Sequence, residues 1–348
     1  MTQPADIASA LLAWHARHGR HGLPWQRDPT PYRVWISEIM LQQTQVVTVV
    51  GYFDRFMARF PELRALAAAP LDEVLHLWSG LGYYSRARNL HRAAQIVVAE
   101  HGGDLPADAV ALAQLPGIGR STAAAIRALS AGERAAILDG NVRRVLARYF
   151  AVAGVTTQRA VQERLWELAE ACTPSADVAV YTQAIMDLGA TVCVRRRPLC
   201  ALCPLQQGCL AFRWGRQHEI PAARPRAVRR TRSVVMLLAR QQDGSVLLER
   251  RAERGVWGGL WCPPQFPSVE AARLFAETRL SAAAIEPQSR AVLRHAFTHF
   301  ELEISPLLAR CTGWSGVMDG PPVLWYNPAN PERLGLPAPV SALIQSLS

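Results

Sequence analysis

The sequence predicts a multidomain protein in which an all-α domain is followed by an α+β domain. Its 348 residues are about twice the ~150 that serve as a prior for one domain. Up to about residue 213, apolar residues recur at spacings of three and four, which indicates helices. From residue 233, short β-rich runs replace this pattern. We therefore expect a helical domain over 1–213, an Arg/Pro-rich interdomain linker over 214–232 and a second domain over 233–348.

Start and stop signals place two helices of the first domain. Thr30 and Pro31 suit the N-cap and first residue of a helix that runs through Leu41. A second helix is predicted over 85–101, because a Gly-Gly pair follows it.

The second domain is predicted to be small and mixed. A Gln-Asp-Gly turn at 242–244 lies between two β-rich runs and predicts a hairpin. A helix near 268–280 and strands near 289–297 and 300–309 complete the expected α+β unit.

Positive charge is concentrated in the first domain and the linker. The net charge is +10, and all 38 basic side chains are arginine, since the sequence contains no lysine. Residues 1–213 carry 22 Arg against 17 acidic residues, residues 214–232 carry 6 Arg against one Glu, and residues 233–348 balance at 10 each. A basic surface of this kind favours a polyanionic partner such as nucleic acid.

No segment predicts a membrane span or a secretory signal. The apolar runs are far shorter than the ~18 residues that a spanning helix needs. The first residues lack a basic start, an apolar block and a cleavage site. We expect a cytoplasmic protein with no membrane partner, whose cysteines are reduced thiols or metal ligands.

Four of the seven cysteines form a compact cluster with the spacing C-x6-C-x2-C-x5-C. They are Cys193, Cys200, Cys203 and Cys209. Four thiolates this close along the chain are able to surround one metal centre. The spacing alone leaves tetrahedral zinc and an iron-sulfur cluster open.

A glycine-containing hairpin and a following acid are candidates for DNA binding and catalysis. Leu115, Gly117 and Gly119 lie in a turn between two predicted helices, where bare amides suit a DNA phosphate. An ordinary helix-loop-helix turn is the alternative. Asp139 follows an aliphatic run and precedes Gly140, so it is either an N-cap or a catalytic carboxylate.

These motifs together resemble a known family. The segments LPGIGRST and LDGNV and the cysteine spacing are similar to the endonuclease III superfamily of helix-hairpin-helix DNA glycosylases. Residues 31–46, 80–90 and 138–148 look like the MutY adenine DNA glycosylases. The resemblance implies an all-α helix-hairpin-helix glycosylase domain, with the hairpin at about 110–130 and a 4Fe-4S cluster held by the four cysteines in a loop over 193–209. An α+β Nudix-like domain is expected to follow.

The resemblance also implies a reaction. Such enzymes flip adenine mispaired with 8-oxoguanine or guanine out of double-stranded DNA and hydrolyse its bond to the sugar, in base excision repair. Glu38 matches the acid that protonates adenine, and its apolar neighbours are expected to raise its pKa. Asp139 matches the carboxylate that stabilises or transiently bonds the sugar, by the two-carboxylate logic of glycosidases. Asn141 is expected to orient Asp139 or the attacking water.

Enzymes of the superfamily that also cut the strand use a lysine amine as a Schiff-base nucleophile. The matching position here is Ser121, and no lysine exists elsewhere to replace it. The resemblance therefore implies a monofunctional glycosylase without lyase activity.

Further residues match the family's contacts to the flipped base and the DNA stack. Leu41 matches a residue that lines the adenine pocket, while Gln43 and Tyr83 match residues that insert into the stack. From the residues alone, Tyr83 is equally compatible with a core position.

The second domain resembles the Nudix-like domain that reads 8-oxoguanine opposite adenine. Phe297, Thr298 and His299 match the family's Phe-Ser-His motif, with threonine in place of serine. A plain strand-turn-strand is the alternative. The segment after the Gly258-Gly259 pair lacks the glutamate-rich helix that a hydrolysing Nudix enzyme uses for magnesium.

Two competing functions remain open at this point. A nucleotide pyrophosphohydrolase is disfavoured by the missing acidic helix, and a non-catalytic iron-sulfur DNA-binding module by the paired Glu38 and Asp139. The chain is expected to act as a monomer on duplex DNA.

Overall fold

The structure is a computed structural model that describes residues 4–223, 228–280, 282–285, 291–312 and 322–347. Within these residues, every helix is too short or too polar to traverse a lipid bilayer.

The pattern of contacts between residues divides the chain into two compact units. The first is Met1–Ala68 with Asn89–Pro225, and the second is Ala69–Arg88 with Arg226–Ser348. Segment 69–88 lies in the predicted helical domain but groups with the second unit. One reason is that Ser79 and Tyr84 donate side-chain hydrogen bonds to the carbonyl of Leu336, at 3.2 and 3.1 Å. The predicted domain boundaries themselves stay a prediction.

Helices build the first unit, as expected from the three-and-four spacing. In chain order the helices are α1 (Pro4–His18), α2 (Pro31–Leu41), α3 (Val46–Arg59), α4 (Leu63–Ala68), α5 (Leu71–Trp78), α6 (Ser85–Glu100), α7 (Ala109–Gln114), α8 (Arg120–Ala131), α9 (Gly140–Tyr149), α10 (Arg159–Cys172), α11 (Val178–Thr191) and α12 (Leu210–Arg213). Of these, α5 and the start of α6 belong to the second unit. The predicted start of α2 is confirmed, because the Thr30 hydroxyl accepts a hydrogen bond from the amide of Arg33. The helix predicted over 85–101 is confirmed as α6.

A hydrophobic core joins α1, α8, α9, α10 and α11. Leu11, Leu146, Leu165 and Leu188 are inaccessible to solvent at its centre. Burying a leucine in this way contributes about 1.5–3 kcal/mol. This core fixes α9, whose first turn carries the candidate acid Asp139 as its cap.

The second unit contains a mixed sheet. Its elements are β1 (Arg230–Arg240), β2 (Val246–Arg250), β3 (Trp261–Cys262), β4 (Gln265–Phe266), α13 (Val269–Arg279), β5 (Ala282–Ile285), β6 (Leu293–Ala296), β7 (Phe300–Cys311), β8 (Val323–Tyr326) and α14 (Ala338–Gln345). The main strand order is β3-β2-β1-β7-β5, with β4 on β1, β6 on β7 and β8 on β2. β1 and β7 run parallel, and the other described pairs are antiparallel.

The predicted elements of this unit are confirmed where they are described. β1 and β2 form the hairpin around 242–244, and α13 and β7 lie where expected. The strand predicted near 289–297 is β6, although residues 289 and 290 lie outside the described residues, as do linker residues 224–227. Leu237, Leu247 and Leu307 pack against α13 to form the core.

Candidate active site

Glu38 lies in the last turns of α2, half-buried between buried Ser37 and Ile39. The pKa of Glu38 is raised from 4.5 to about 8, mainly by burial and second by the negative charge of Asp139. A carboxyl group with this pKa keeps its proton near neutral pH. It therefore has the property that a general acid needs.

Asp139 is the N-cap of α9. Its Oδ1 accepts a hydrogen bond of 2.7 Å from the amide of Val142, so the N-cap interpretation is confirmed. Burial raises the pKa of Asp139, whereas the amides of Val142 and Asn141 and the charge of Arg144 oppose that rise. The same carboxyl acts electrostatically on Glu38, so the structure brings the two predicted acids into one site.

Ser121 lies in the first turn of α8 and contacts the segment that leads into Asp139. Its hydroxyl oxygen accepts a hydrogen bond of 2.9 Å from the amide of Leu138. Leu138 is fully buried. The position that the sequence resemblance predicts to match a lysine nucleophile therefore carries a hydroxyl that binds the backbone.

Asn141 is fixed between two helices. Arg144 Nη2 donates to Asn141 Oδ1 at 2.8 Å and to the carbonyl of Gly189 in α11 at 2.6 Å. A Cβ atom on Gly189 would lie 2.6 Å from Asn141 Cβ, closer than real side chains approach. The missing side chain at Gly189 thus lets α11 pack directly on the first turn of α9.

The predicted hairpin lies between α7 and α8. Leu115 and Ile118 are buried and anchor it, whereas Gly117 and Gly119 are exposed. Gly117 has φ +80°, and Gly119 is the N-cap of α8 and has open space around it. The exposed part of the predicted phosphate site therefore consists of the glycines, while Leu115 has a packing role.

Gln43 and Tyr83 share an unusual backbone conformation. Each is a non-glycine residue in the left-handed region, with φ of 58° and 50°, a conformation found disproportionately at functional sites. Gln43 is exposed, and Tyr83 is 45% exposed, so Tyr83 is not a core residue. Leu41 is half-buried at the end of α2.

Tyr83 is supported from two sides within the second unit. The guanidinium of buried Arg86 lies 5.3 Å from the ring centre of Trp78 and 5.6 Å from that of Tyr83. The Tyr83 hydroxyl is 3.1 Å from the hydroxyl of Thr298. Two residues that the sequence predicts to contact DNA are therefore hydrogen-bonded to each other.

The predicted lesion-reading residues form the end of the β6–β7 hairpin. The Phe297 amide donates to the Phe300 carbonyl at 2.9 Å, which leaves Thr298 and His299 exposed at the tip. Phe297 is half-buried beneath them. The strand-turn-strand interpretation is thus correct as a description of the backbone.

Cys193, Cys200, Cys203 and Cys209 line one cavity. Turns carry the last three, since the amide of Cys203 donates to the carbonyl of Cys200 and the amide of Cys209 to that of Gln206, both at 3.1 Å. Burial raises the pKa of Cys203 to about 12, and the neighbouring sulfurs add to this rise. Four thiolates this close repel one another, so a metal centre is the group that would balance their charge.

A buried cation at the cavity fits a sulfur-rich cofactor. Arg148 donates from Nη1 to Cys193 Sγ at 3.3 Å and to the carbonyl of Val194 at 2.8 Å. The amide oxygen of Gln217, which has no hydrogen-bond partner among the described residues, is an acceptor and adds no donor for sulfur. Over the same part of the chain, no three His, Cys, Asp or Glu side chains are arranged to hold a single metal ion.

The contacts of Arg144 and Arg148 were not predicted from the sequence. Arg144 Nε also donates to the carbonyl of Cys193, at 2.7 Å, so both arginines connect α9 to the cysteine loop. The four-residue spacing of Arg144 and Arg148 places both on one face of a helix, and this spacing is the sequence feature that indicates a shared partner.

Two family models match the chain. The HhH-GPD superfamily base excision DNA repair protein matches residues 36–171, and the NUDIX domain matches residues 235–346. The adenine DNA glycosylase of Buchnera aphidicola subsp. Acyrthosiphon pisum (strain APS) is 36% identical over 344 residues, which is 98% of this chain and 97% of that protein. The adenine DNA glycosylase of Homo sapiens is 44% identical over 223 residues, 62% of this chain and 41% of that protein.

Solved structures resemble the helical part. A thermostable thymine-DNA glycosylase superposes with a TM-score of 0.55 at 28% identity, covering 61% of this chain and 97% of its own. An endonuclease III in a non-covalent complex with DNA gives a TM-score of 0.52 at 21% identity, covering 62% of this chain and 99% of its own. The second likeness concerns the fold alone.

Proposed function

This chain belongs to the adenine DNA glycosylase family of base excision repair enzymes, and on that premise we propose that it releases adenine mispaired with 8-oxoguanine or guanine in duplex DNA. The target adenine must leave the base stack before its bond to the sugar can be cut. The unstacking energy of a few kcal/mol is offset by side chains that fill the gap. Gln43 and Tyr83, which are exposed on left-handed turns, are assigned this role, and Leu41 is assigned to the adenine pocket.

Glu38 is the general acid of the proposed reaction. Its raised pKa keeps the carboxyl protonated until adenine is bound. Transfer of that proton to an imidazole-ring nitrogen of adenine allows the base to depart with the electron pair of the bond to the sugar.

Asp139 acts on the sugar. The carboxylate stabilises the oxocarbenium-like sugar, or bonds it transiently, until water adds to the anomeric carbon, replaces any bond to Asp139 and gives its proton to the Glu38 carboxylate. Its hydrogen bond from Val142 holds the acceptor in place. Asn141, whose side-chain oxygen is held by Arg144, orients Asp139 or the water.

The reaction ends at an intact abasic site. Strand cleavage by β-elimination requires an amine that forms a Schiff base. The chain contains no lysine, and the Ser121 hydroxyl is hydrogen-bonded to the amide of Leu138.

The four cysteines are the proposed ligands of a 4Fe-4S cluster. The shared cavity and the Arg148 contact to Cys193 support this assignment. When bound, the cluster serves to hold the loop 193–209 in its folded shape. The hairpin around Gly117 and Gly119 is assigned to a DNA phosphate.

The second unit is proposed to read the base opposite adenine. Thr298 and His299 are exposed at a hairpin tip, where the threonine hydroxyl is able to hydrogen-bond 8-oxoguanine.

One relationship carries the proposal: Glu38 is close enough to the capping carboxyl of Asp139 for the charge of Asp139, together with burial, to raise the pKa of Glu38. The test is release of free adenine under single-turnover conditions from duplexes that contain A·8-oxoguanine, A·G or A·T. We expect release from both mispairs and none from A·T. Equal release from A·T, or none from A·8-oxoguanine, contradicts the proposal. Magnesium-dependent phosphate release from a nucleotide would indicate a pyrophosphohydrolase instead.

A further inference from the structure

A column of four planar groups in contact supports the β6–β7 hairpin. The ring centres of Trp257 and Phe297 are 5.6 Å apart and the rings are tilted by 52°, whereas Phe297 and Phe300 are stacked, with centres 4.6 Å apart and an interplanar angle of 14°. The guanidinium of Arg232 lies 4.8 Å from the Phe300 centre. Ring–ring and cation–ring contacts of this kind stabilise the groups beyond the burial of their apolar surface. The column therefore fixes the base of the hairpin.

Thr298 and His299 are the two residues above this column. Because the amide of Phe297 donates to the carbonyl of Phe300, the tip between these two phenylalanines has little freedom of its own. Its position is set by the stacked rings of the two phenylalanines and by the hydrogen bond between the hydroxyls of Thr298 and Tyr83.

Trp257 is the buried end of the column, with 7% exposure. Its backbone is left-handed, with φ 54°, which is rare for a bulky residue. A side chain on Gly258 would meet the carbonyl of Glu253 at 2.1 Å, so the turn tolerates no larger residue there. The amide of Leu260 also donates to the Trp257 carbonyl at 3.0 Å. The indole is therefore held at a defined position.

The column forms one wall of an open groove of about 970 Å³ within the second unit. The groove is also lined by three guanidinium-bearing residues, Arg88, Arg229 and Arg232. Guanidinium groups along a groove suit the phosphates of a nucleic acid.

We propose that Trp257 is a positioning residue that determines how the enzyme distinguishes 8-oxoguanine from guanine opposite adenine. This inference rests on the proposed function of the hairpin tip. Trp257 supports Phe297 from beneath, and Phe297 carries the Thr298 hydroxyl to the place where the opposite base is read. Removing the indole loosens the tip, whereas Glu38 and Asp139 belong to the other unit.

The test compares Trp257→Leu with Trp257→Phe and with the control Trp261→Leu. Trp261 is equally buried, at 7% exposure, but its indole donates to Asp72 instead. For each variant, the dissociation constant and the single-turnover rate of adenine release are measured on A·8-oxoguanine and A·G duplexes, together with the melting temperature. We expect Trp257→Leu to reduce the preference for 8-oxoguanine about 10-fold, the value of one hydrogen bond. Its rate on A·G at saturating enzyme should be unchanged, and Trp257→Phe should restore most of the preference.

The outcomes separate this inference from the proposed function. If the unaltered enzyme shows no preference for 8-oxoguanine, the proposed lesion reading fails. If the unaltered enzyme has the preference and Trp257→Leu keeps it, or Trp261→Leu loses it equally, the positioning role is overturned. Should Trp257→Leu not fold, Arg232→Gln tests the exposed end of the column. A lowered preference supports the role, and an equal loss on both duplexes indicates a phosphate contact and overturns it.

Discussion

The hydroxyl of Ser121 accepts a 2.9 Å hydrogen bond from the amide of Leu138, the residue that precedes Asp139. Ser121→Ala leaves that buried amide without its acceptor, which costs about 1–3 kcal/mol. We expect this loss in urea unfolding, together with slower adenine release as Asp139 becomes less fixed. The control is Ser130→Ala, since Ser130 donates only to the carbonyl of Ile126 in the same helix. Equal stability and rate for the two variants would contradict the role of Ser121.

The raised pKa of Glu38 predicts how the rate depends on pH. If Glu38 donates its proton to adenine, the single-turnover rate should decline as the pH rises through about 8. Glu38→Gln should lose at least ~10² in rate and show no such decline. A normal rate for this variant is the contradictory result.

The same shift predicts a stability difference of defined sign. The folded state binds the Glu38 proton more tightly than the unfolded state does. The stabilisation that comes from this proton is therefore complete below about pH 4.5 and is lost as the pH rises through about 8. Relative to the unaltered protein, Glu38→Gln should therefore become more stable with rising pH, by roughly a few kcal/mol. Urea unfolding of both proteins across this pH range measures it. A constant difference would show that the carboxyl is not perturbed.

The two roles of Asp139 can be separated by substitution. Asp139→Asn keeps a capping oxygen but loses the charge, so we expect normal stability with a rate at least ~10² lower. Asp139→Ala also loses the cap, which costs about 1 kcal/mol more. Asp108 is the matched control, since it caps α7 through the amide of Ala111 at 2.8 Å. Asp108→Ala should lose similar stability and keep its rate, and an active Asp139→Asn would remove the catalytic role.

Metal analysis decides between the two centres that the cysteine spacing allows. We expect about four iron and four sulfide per chain, and a single zinc would overturn the cluster assignment. Cys193→Ala should lose the metal and destabilise the loop over 193–209. Cys172→Ala should retain it, because Cys172 lies in the core of the first unit and not at the cavity.

Features with local signals were predictable from the sequence. The cap of α2, the hairpin between α7 and α8 and the turn at 242–244 depend on residues a few positions apart, and each is confirmed. The grouping of segment 69–88 with the second unit was not predictable, because it depends on partners such as Leu336, more than two hundred positions away.

The residues of the candidate site were predictable from local motifs, but some of their properties were not. Motifs indicated Glu38 and Asp139, whereas the raised pKa of Glu38 follows from burial and from a partner that only folding brings near. The tilted contact between the rings of Trp257 and Phe297 likewise joins two segments of the chain that no local pattern relates.

Gly189 limits how this protein can be stabilised by design. Replacing an interior helical glycine with alanine ordinarily gains about 0.5–1 kcal/mol through helix propensity. At Gly189 the added methyl would push against Asn141 and separate α11 from α9. A thermostabilisation programme should therefore leave this position unchanged, and variants at Gly189 would report how sensitive the first turn of α9 is to displacement beside Asp139.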